Sequence, residues 1–129
     1  MPFWILETYK KEISWTYLSS NEGIPVTFFE KNFYKIYWDG LYSNKNIPFS
    51  FFQKHPKKIN WRSISLHKGI TISFIENNVE KINWYNLCKN NGINVSFFEN
   101  YLDRVCWPYL CSNKNVSISF YEKNLDKIN

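Results

Sequence analysis

Residues 15–37 read WTYLSSNEGIPVTFFEKNFYKIY, and the same 23-residue pattern follows four more times without an insertion or deletion. Every copy opens on a tryptophan, at Trp15, Trp38, Trp61, Trp84 and Trp107. A fixed period of about 20 to 50 residues is typical of repeat architectures, because one copy buries its apolar face only against its neighbours. Columns of the repeat are numbered from the tryptophan, which is column 1.

Five columns keep an apolar residue in all copies and predict the core. Column 4 is Leu or Ile, column 10 is Ile or Val, column 14 is Phe, column 15 is a large apolar residue, and column 22 is Ile or Val. The tryptophan recurs in phase with these columns, so it is predicted to be a core residue as well. Columns 2, 3, 6, 8, 17 and 20 change freely, which predicts that they face solvent or a partner.

Capping residues predict two short helices in each copy. The first helix begins at the tryptophan, after an N-cap such as Ser14, Asn60 or Asn83. It ends at column 9, where every copy has the Gly or Asn that a left-handed stop favours. The second helix has two candidate caps: Ser or Thr in column 13, with Glu or Gln three residues on, or column 11, with Pro, Thr, Asn or Ser. It ends near column 18 or 19, where Pro56 stands in one copy.

The sequence therefore predicts an all-α chain with a single repeat domain over residues 1–129. We expect an α-solenoid of five two-helix repeats, preceded by a half repeat at residues 1–14. The repeats span residues 15–37, 38–60, 61–83, 84–106 and 107–129. A leucine-rich repeat has a compatible period, but its strand needs apolar residues two apart, and column 2 is Thr, Asp, Arg, Tyr or Pro.

The pattern WxxLSxNxxIxxSFFEKNxDKIN resembles the Trp-anchored tandem repeats of about this length that giant DNA viruses of the mimivirus type encode. The resemblance covers essentially the whole chain. It implies an α-solenoid in a viral protein and implies no assigned activity.

Composition and motifs favour a binding protein over an enzyme. The formal charge is +5 and aromatic residues make up 20% of the chain, which suits a folded protein that tolerates anionic partners. No nucleotide-binding or metalloprotease motif occurs, so neither a cofactor nor a small-molecule substrate is expected. His67, in the Asn column 7, predicts a structural role, and His55 predicts an exposed side chain. We expect no enzymatic activity.

The cysteines and the N-terminus indicate an intracellular chain. Cys88, Cys106 and Cys111 form no CxxC spacing, so free thiols are expected. No signal peptide or membrane span is evident, which predicts a cytoplasmic protein that is not secreted and binds no membrane. For a viral protein, the host cytoplasm or the virion is expected.

The predicted partner surface lies on the variable columns of the first helices, because repeat arrays present such positions on one face and Tyr and Arg anchor interfaces. It comprises Tyr17, Asp39, Tyr42, Arg62, Tyr85, Asn86 and Tyr109. Column 21 is basic throughout, as Lys35, Lys58, Lys81, Arg104 and Lys127. This basic column predicts either weak surface pairing with the glutamates of column 16 or an anion-binding ladder.

Two functions follow from these surfaces. The first is a non-enzymatic repeat scaffold for protein–protein interaction or assembly. The alternative is sequence-tolerant binding of nucleic acid along the basic column, with affinity that falls as salt rises. The last copy has no polar capping repeat after Asn129, so self-association through an exposed terminal repeat is also expected.

Overall fold

The computed structural model describes Trp4 and residues 14–128, and these residues form short helices without a β-strand. The all-α prediction is confirmed. A leucine-rich repeat is excluded for the described residues, since it needs one strand in every copy. The predicted half repeat lies outside the described residues, except for Trp4 and Ser14.

Every copy contains two α-helices. The first helices are α1 Trp15–Ser20, α3 Trp38–Ser43, α5 Trp61–Ile64, α7 Trp84–Lys89 and α9 Trp107–Leu110. The second helices are α2 Val26–Lys31, α4 Phe49–Gln53, α6 Ile72–Glu76, α8 Val95–Phe98 and α10 Ile118–Lys123. Short 3-10 helices follow at Phe33–Lys35, Pro56–Lys58, Glu99–Tyr101 and Leu125–Lys127. The predicted start at each tryptophan is confirmed, whereas the second helices end at columns 15 to 17, earlier than predicted.

Column 11, and not column 13, provides the N-cap of every second helix. The Thr71 hydroxyl accepts a hydrogen bond from the Phe74 N–H at 3.3 Å, and the Asn94 side chain accepts one from the Ser96 N–H at 3.0 Å. Pro25 caps without a side-chain bond. The column-13 alternative is wrong, because these residues already lie inside the helix. At the first helices, Asn60 and Asn83 cap through their side chains, but Ser14 does not.

The predicted left-handed stop at column 9 is also wrong, because no described residue has a positive φ. In three copies the asparagine of column 7 directly follows the first helix, whereas α5 and α9 end earlier, at Ile64 and Leu110. The side-chain oxygen of this asparagine accepts the N–H of column 9, as in the bond from Gly23 to Asn21 at 2.9 Å. Column 9 instead takes part in contacts with the preceding copy. The Asn46 side-chain amide donates to the Glu22 carbonyl of the preceding copy, whereas Gly92 brings its backbone against the Lys68 carbonyl.

The column-7 asparagines also join successive copies, and this asparagine ladder is the main polar feature of the interior. The Asn44 amide donates to the carbonyls of Ser19 and Asn21, both at 3.1 Å. The Asn90 amide donates to Ser65 and His67 at 2.9 and 3.1 Å. The Asn113 amide donates to the carbonyls of Cys88 and Asn90 at 2.9 and 3.3 Å. Each amide therefore satisfies two carbonyls at the end of the preceding first helix, where the helix leaves such groups unpaired.

Contacts divide the chain into two compact units, residues 1–58 and 59–129, and the single repeat domain stays a prediction. In the first unit α1 lies against α3. Its largest fully buried side chains are Phe28, Phe29, Leu41, Ile47 and Phe52. In the second unit α7 lies against α9. Its largest fully buried side chains are Ile64, Ile75, Leu87, Ile93, Phe98 and Leu110.

The tryptophans border the core instead of filling it. Trp84 is buried, but the other four tryptophans of column 1 are half-buried. Each one packs on the phenylalanine of column 14 in its own copy, with ring centroids 5.6 Å apart for Trp15–Phe28 and 6.1 Å for Trp84–Phe97. The prediction of a core tryptophan thus holds in part, because four of the five are half-buried.

Candidate partner-binding cleft and basic surfaces

The column-3 residues Gly40, Asn86 and Tyr109 each contact the preceding copy. A Cβ at Gly40 would lie 3.2 Å from the Thr16 carbonyl, and the Asn86 amide donates to the Arg62 carbonyl at 2.8 Å. The ring of Tyr109 likewise meets the preceding copy, in an edge-on contact with Tyr85. In these three copies column 3 therefore takes part in the contact between two successive first helices.

A cleft of about 270 Å³ lies across three successive first helices of the second unit. It is lined by Arg62 of α5, by Asn83, Tyr85, Asn86 and Lys89 at and along α7, and by Tyr109 of α9. We call it the partner cleft. Four of the seven residues predicted to bind a partner line it.

The partner cleft combines two phenol rings with two cations. The ring centroids of Tyr85 and Tyr109 are 5.4 Å apart, and the Lys89 amine lies 4.3 Å from the Tyr109 centroid. Tyr85 is 58% exposed and Tyr109 38%, so ring surface remains open. Because no carboxylate lines the partner cleft, its charge is positive.

Lys89 and Asn83 are cleft residues that the sequence analysis missed. Lys89 follows Tyr85 by four residues on α7, and residues at this spacing share a helix face. The spacing in the sequence could therefore have indicated that Lys89 lies beside Tyr85. Asn83 was assigned only as a cap, and it does accept the Asn86 N–H at 2.9 Å while also lining the cleft.

The remaining predicted partner residues lie elsewhere. Tyr17 and Asp39 are exposed in the first unit. Tyr42 is half-buried: its ring stacks on Phe52 at 4.4 Å, and its hydroxyl donates to the Lys58 carbonyl at 3.0 Å. Asn86 is only 9% exposed, so it acts in the cleft mainly by holding α5 against α7.

The basic column lies over the tryptophans. The cations of Lys35, Lys58, Lys81 and Arg104 are 5.6 to 6.0 Å from the ring centroid of their own copy's tryptophan. Such cation–π contacts contribute about 0.5 to 1 kcal/mol at exposed sites. Among the described residues, no column-16 glutamate forms an ion pair with these cations. Arg104 pairs instead with Glu80 of column 20. The suggested pairing with column 16 is therefore wrong.

Comparison with protein-family models, with curated proteins and with solved structures finds no match to this chain. The function proposed below therefore rests on the chain's own residues.

No helix among the described residues is long and apolar enough to cross a bilayer.

The last copy exposes apolar side chains, since Ile118 and Leu125 are 76% and 65% exposed. The self-association expected from this copy stays a prediction.

The structure agrees with the structural role predicted for His67 and differs from the exposure predicted for His55. His67 accepts the Gly69 N–H at 3.0 Å through Nδ1, which is the local bond that the column-7 asparagines make. His55 was expected to be exposed, but it is half-buried, with its ring 4.6 Å from Phe33 and 4.9 Å from Phe51.

The three cysteines are free thiols with different surroundings. Burial raises the pKa of Cys88 to about 11, and the Cys88 sulfur accepts the Cys106 N–H at 3.3 Å. Burial also raises the pKa of Cys106, which is half-buried. Cys111 is exposed. Ser19 and Ser65, which share column 5 with Cys88, accept the N–H groups of Tyr37 and Asn83 in the same way, so Cys88 has a structural role.

We expect the folded protein to react with a maleimide in the order Cys111, Cys106, Cys88. Only the thiolate reacts, and raising the Cys88 pKa from 9.0 to about 11 lowers its thiolate fraction at pH 8 roughly 100-fold. Mass spectrometry of a time course measures the order. Equal rates in urea provide the control, and equal rates without urea would contradict the burial of Cys88.

Proposed function

We propose that this chain is a non-enzymatic binding scaffold, an α-solenoid of five repeats that holds a protein partner at the partner cleft. The observation that carries the proposal is the meeting of Arg62, Tyr85 and Tyr109 from three successive copies in one cleft. Interface hot spots are enriched in Tyr and Arg. Repeat proteins combine a uniform frame with variable contact residues, which is the division between columns here.

The charge of the partner cleft indicates an acidic partner. Arg62 and Lys89 face the cleft without a carboxylate beside them. A segment with Asp or Glu next to an apolar side chain would pair with both cations and cover the two tyrosine rings. Arg suits a carboxylate because its planar fork donates two parallel hydrogen bonds.

Nucleic acid along the basic column is less well supported than the protein scaffold. Four of its five cations lie over tryptophan rings, which gives them a role in the fold. This alternative stays a prediction, as do the viral origin and the intracellular location.

Selection from a displayed peptide library tests the proposal. Peptides that bind the wild-type chain should be acidic, and the double variant Arg62→Glu/Lys89→Glu should bind them at least about tenfold more weakly, since two attractive charges become repulsive. The matched control is Lys68→Glu/Lys114→Glu, which makes the same charge change at exposed positions outside the cleft.

The control variant should retain nearly all of the affinity. Equal loss in both variants would mean that net charge alone drives binding. Failure to select any acidic peptide would overturn the assignment of the partner cleft. Circular dichroism of each variant confirms that the helices persist.

A further inference from the structure

The second copy departs from the repeat at column 18, where a structural bond has been lost. In three other copies an asparagine in this column donates to the carbonyl of the column-14 phenylalanine. These bonds are Asn32 to Phe28 at 2.9 Å, Asn78 to Phe74 at 2.8 Å and Asn124 to Phe120 at 2.8 Å. The second copy has His55, which stacks against aromatic rings. The fourth copy has Tyr101, whose ring also packs on Trp84 and Phe97. The surroundings of these two rings differ, because His55 is followed by Lys57 and Lys58, whereas Tyr101 is followed by Asp103 and Arg104.

His55 lines a hollow of about 300 Å³ in the first unit. The hollow is lined by Phe33, Lys54, His55, Pro56, Lys57 and Lys58, and we call it the basic hollow. Phe33 and His55 are both half-buried, so each keeps ring surface open to solvent. The backbone of the rim is fixed, because the Lys58 N–H donates to the His55 carbonyl at 2.9 Å and Tyr42 holds the Lys58 carbonyl.

The rim of the basic hollow carries only positive charge. Lys54, Lys57 and Lys58 are exposed, and no carboxylate lines the hollow. Lys57 is the decisive difference, because column 20 is acidic in the last three copies. These acids are Glu80, Asp103 and Asp126. An apolar aromatic surface bordered by three lysines, of which Lys58 also lies over Trp38, is complementary to a ligand that is both flat and anionic.

We propose that the basic hollow binds single-stranded nucleic acid, with one base against Phe33 and His55 and the neighbouring phosphates near the three lysines. Aromatic platforms inside a positive groove bind single strands with little sequence preference, because every base offers a flat face. The hollow is an open surface feature without a set of donors for a base edge, which suits such tolerant binding. A duplex offers no exposed base face, so it fits the hollow less well.

The hollow favours phosphate over the carboxylates of an acidic peptide. Its cations are all lysines, which act as point charges and commonly bind phosphate, whereas paired recognition of carboxylates is typical of arginine. The partner cleft, by contrast, contains Arg62. This second site is separate from the proposed protein-binding function and does not depend on it.

Fluorescence anisotropy with a labelled deoxythymidine strand of about twelve nucleotides tests the site. We expect binding whose logarithmic salt dependence has a slope of about −2, for three lysines at about 0.7 each. The variant His55→Asn/Lys57→Asp should bind at least about tenfold more weakly. It places in the second copy the residues that the last copy carries in the same columns, as Asn124 and Asp126, so the repeat frame tolerates it.

Two further variants separate stacking from charge. Phe33→Leu, which matches Leu125 in the last copy, should weaken binding without changing the salt slope, since only the stacking platform is lost. Lys31→Gln/Lys45→Gln removes two exposed charges of the same unit outside the hollow and should leave affinity nearly unchanged.

Several results would overturn the proposal. They are absence of binding to the wild-type chain, equal losses in the Lys31/Lys45 control, equal affinity for the duplex, and equal affinity for thymidine monophosphate. An oligoglutamate peptide that binds as tightly, with the same sensitivity to His55→Asn/Lys57→Asp, would replace the nucleic acid by an acidic protein. The variant Arg62→Glu/Lys89→Glu, which alters the partner cleft, should reduce the affinity for the strand no more than an equal charge change elsewhere, such as Lys68→Glu/Lys114→Glu.

Discussion

Replacing Asn90 by alanine should lower the free energy of unfolding by about 3 to 5 kcal/mol. Asn90 is 2% exposed, and its side chain makes three hydrogen bonds. The amide donates to the carbonyls of Ser65 and His67, and the oxygen accepts the Gly92 N–H at 2.9 Å. Each lost bond costs about 1 kcal/mol, and a buried carbonyl without a partner costs about 1 to 3 kcal/mol more. Urea titration followed by tryptophan fluorescence measures the loss.

A second substitution identifies the donor as the important group. Asn90→Asp keeps the shape and the acceptor for Gly92, but it turns a charged oxygen toward two carbonyls, so it should destabilise at least as much as alanine. Asn100→Ala, at an exposed position in the 3-10 helix Glu99–Tyr101, should change stability by less than about 0.5 kcal/mol. A small effect of Asn90→Ala would contradict a supporting role for the asparagine ladder.

Replacing Gly92 by alanine should destabilise the second unit by about 1 to 3 kcal/mol, the usual cost of overpacking. A Cβ at this position would lie 2.7 Å from the Lys68 carbonyl oxygen and 3.2 Å from the Lys68 Cα. Both are backbone atoms, so they cannot rotate aside. The same unfolding titration measures the effect, and an unchanged midpoint would show that the two copies can separate at little cost.

Gly23→Ala is the matched control, because it makes the same change in the same column. Among the described atoms the nearest to a Cβ at Gly23 is the Asn21 side-chain oxygen, at 3.2 Å. We therefore expect a neutral change or a gain of up to about 1 kcal/mol, since alanine restricts the unfolded chain. Opposite signs at two glycines of one column would show that the contact between copies decides the effect.

Periodicity predicted the local structure well. The tryptophan spacing located every first helix, and the apolar columns predicted buried residues such as Leu41, Phe52 and Leu110. The second helices were ambiguous, because a Ser or Thr in column 13 and a capping residue in column 11 each satisfy a cap pattern. The structure distinguishes them by Thr71, whose hydroxyl accepts the Phe74 N–H.

Contacts between copies were beyond sequence reasoning. The glycine and asparagine of column 9 indicated a left-handed residue, because that is their commonest local meaning. Here they serve close approach and bonding between neighbours, as Gly92 and Asn46 illustrate. The cation–π contacts of Lys81 and its equivalents were missed for the same reason, since a basic column twenty residues from the tryptophan gives no local signal.

The candidate sites were predictable only in part. The variable columns include Arg62, Tyr85 and Tyr109, which the structure brings together in one cleft, and their role in binding stays a prediction. They could not show that Tyr42 stacks on Phe52, because a tyrosine that contacts its neighbours and one that faces solvent look alike in one sequence.

The asparagine ladder also has a direction. The amides of Asn44, Asn90 and Asn113 all reach toward carbonyls that precede them in the chain. During synthesis, the acceptors for each amide have therefore left the ribosome before the amide itself. Growth from the N-terminus can close these bonds one after another, and no amide has to wait for a segment still to be translated.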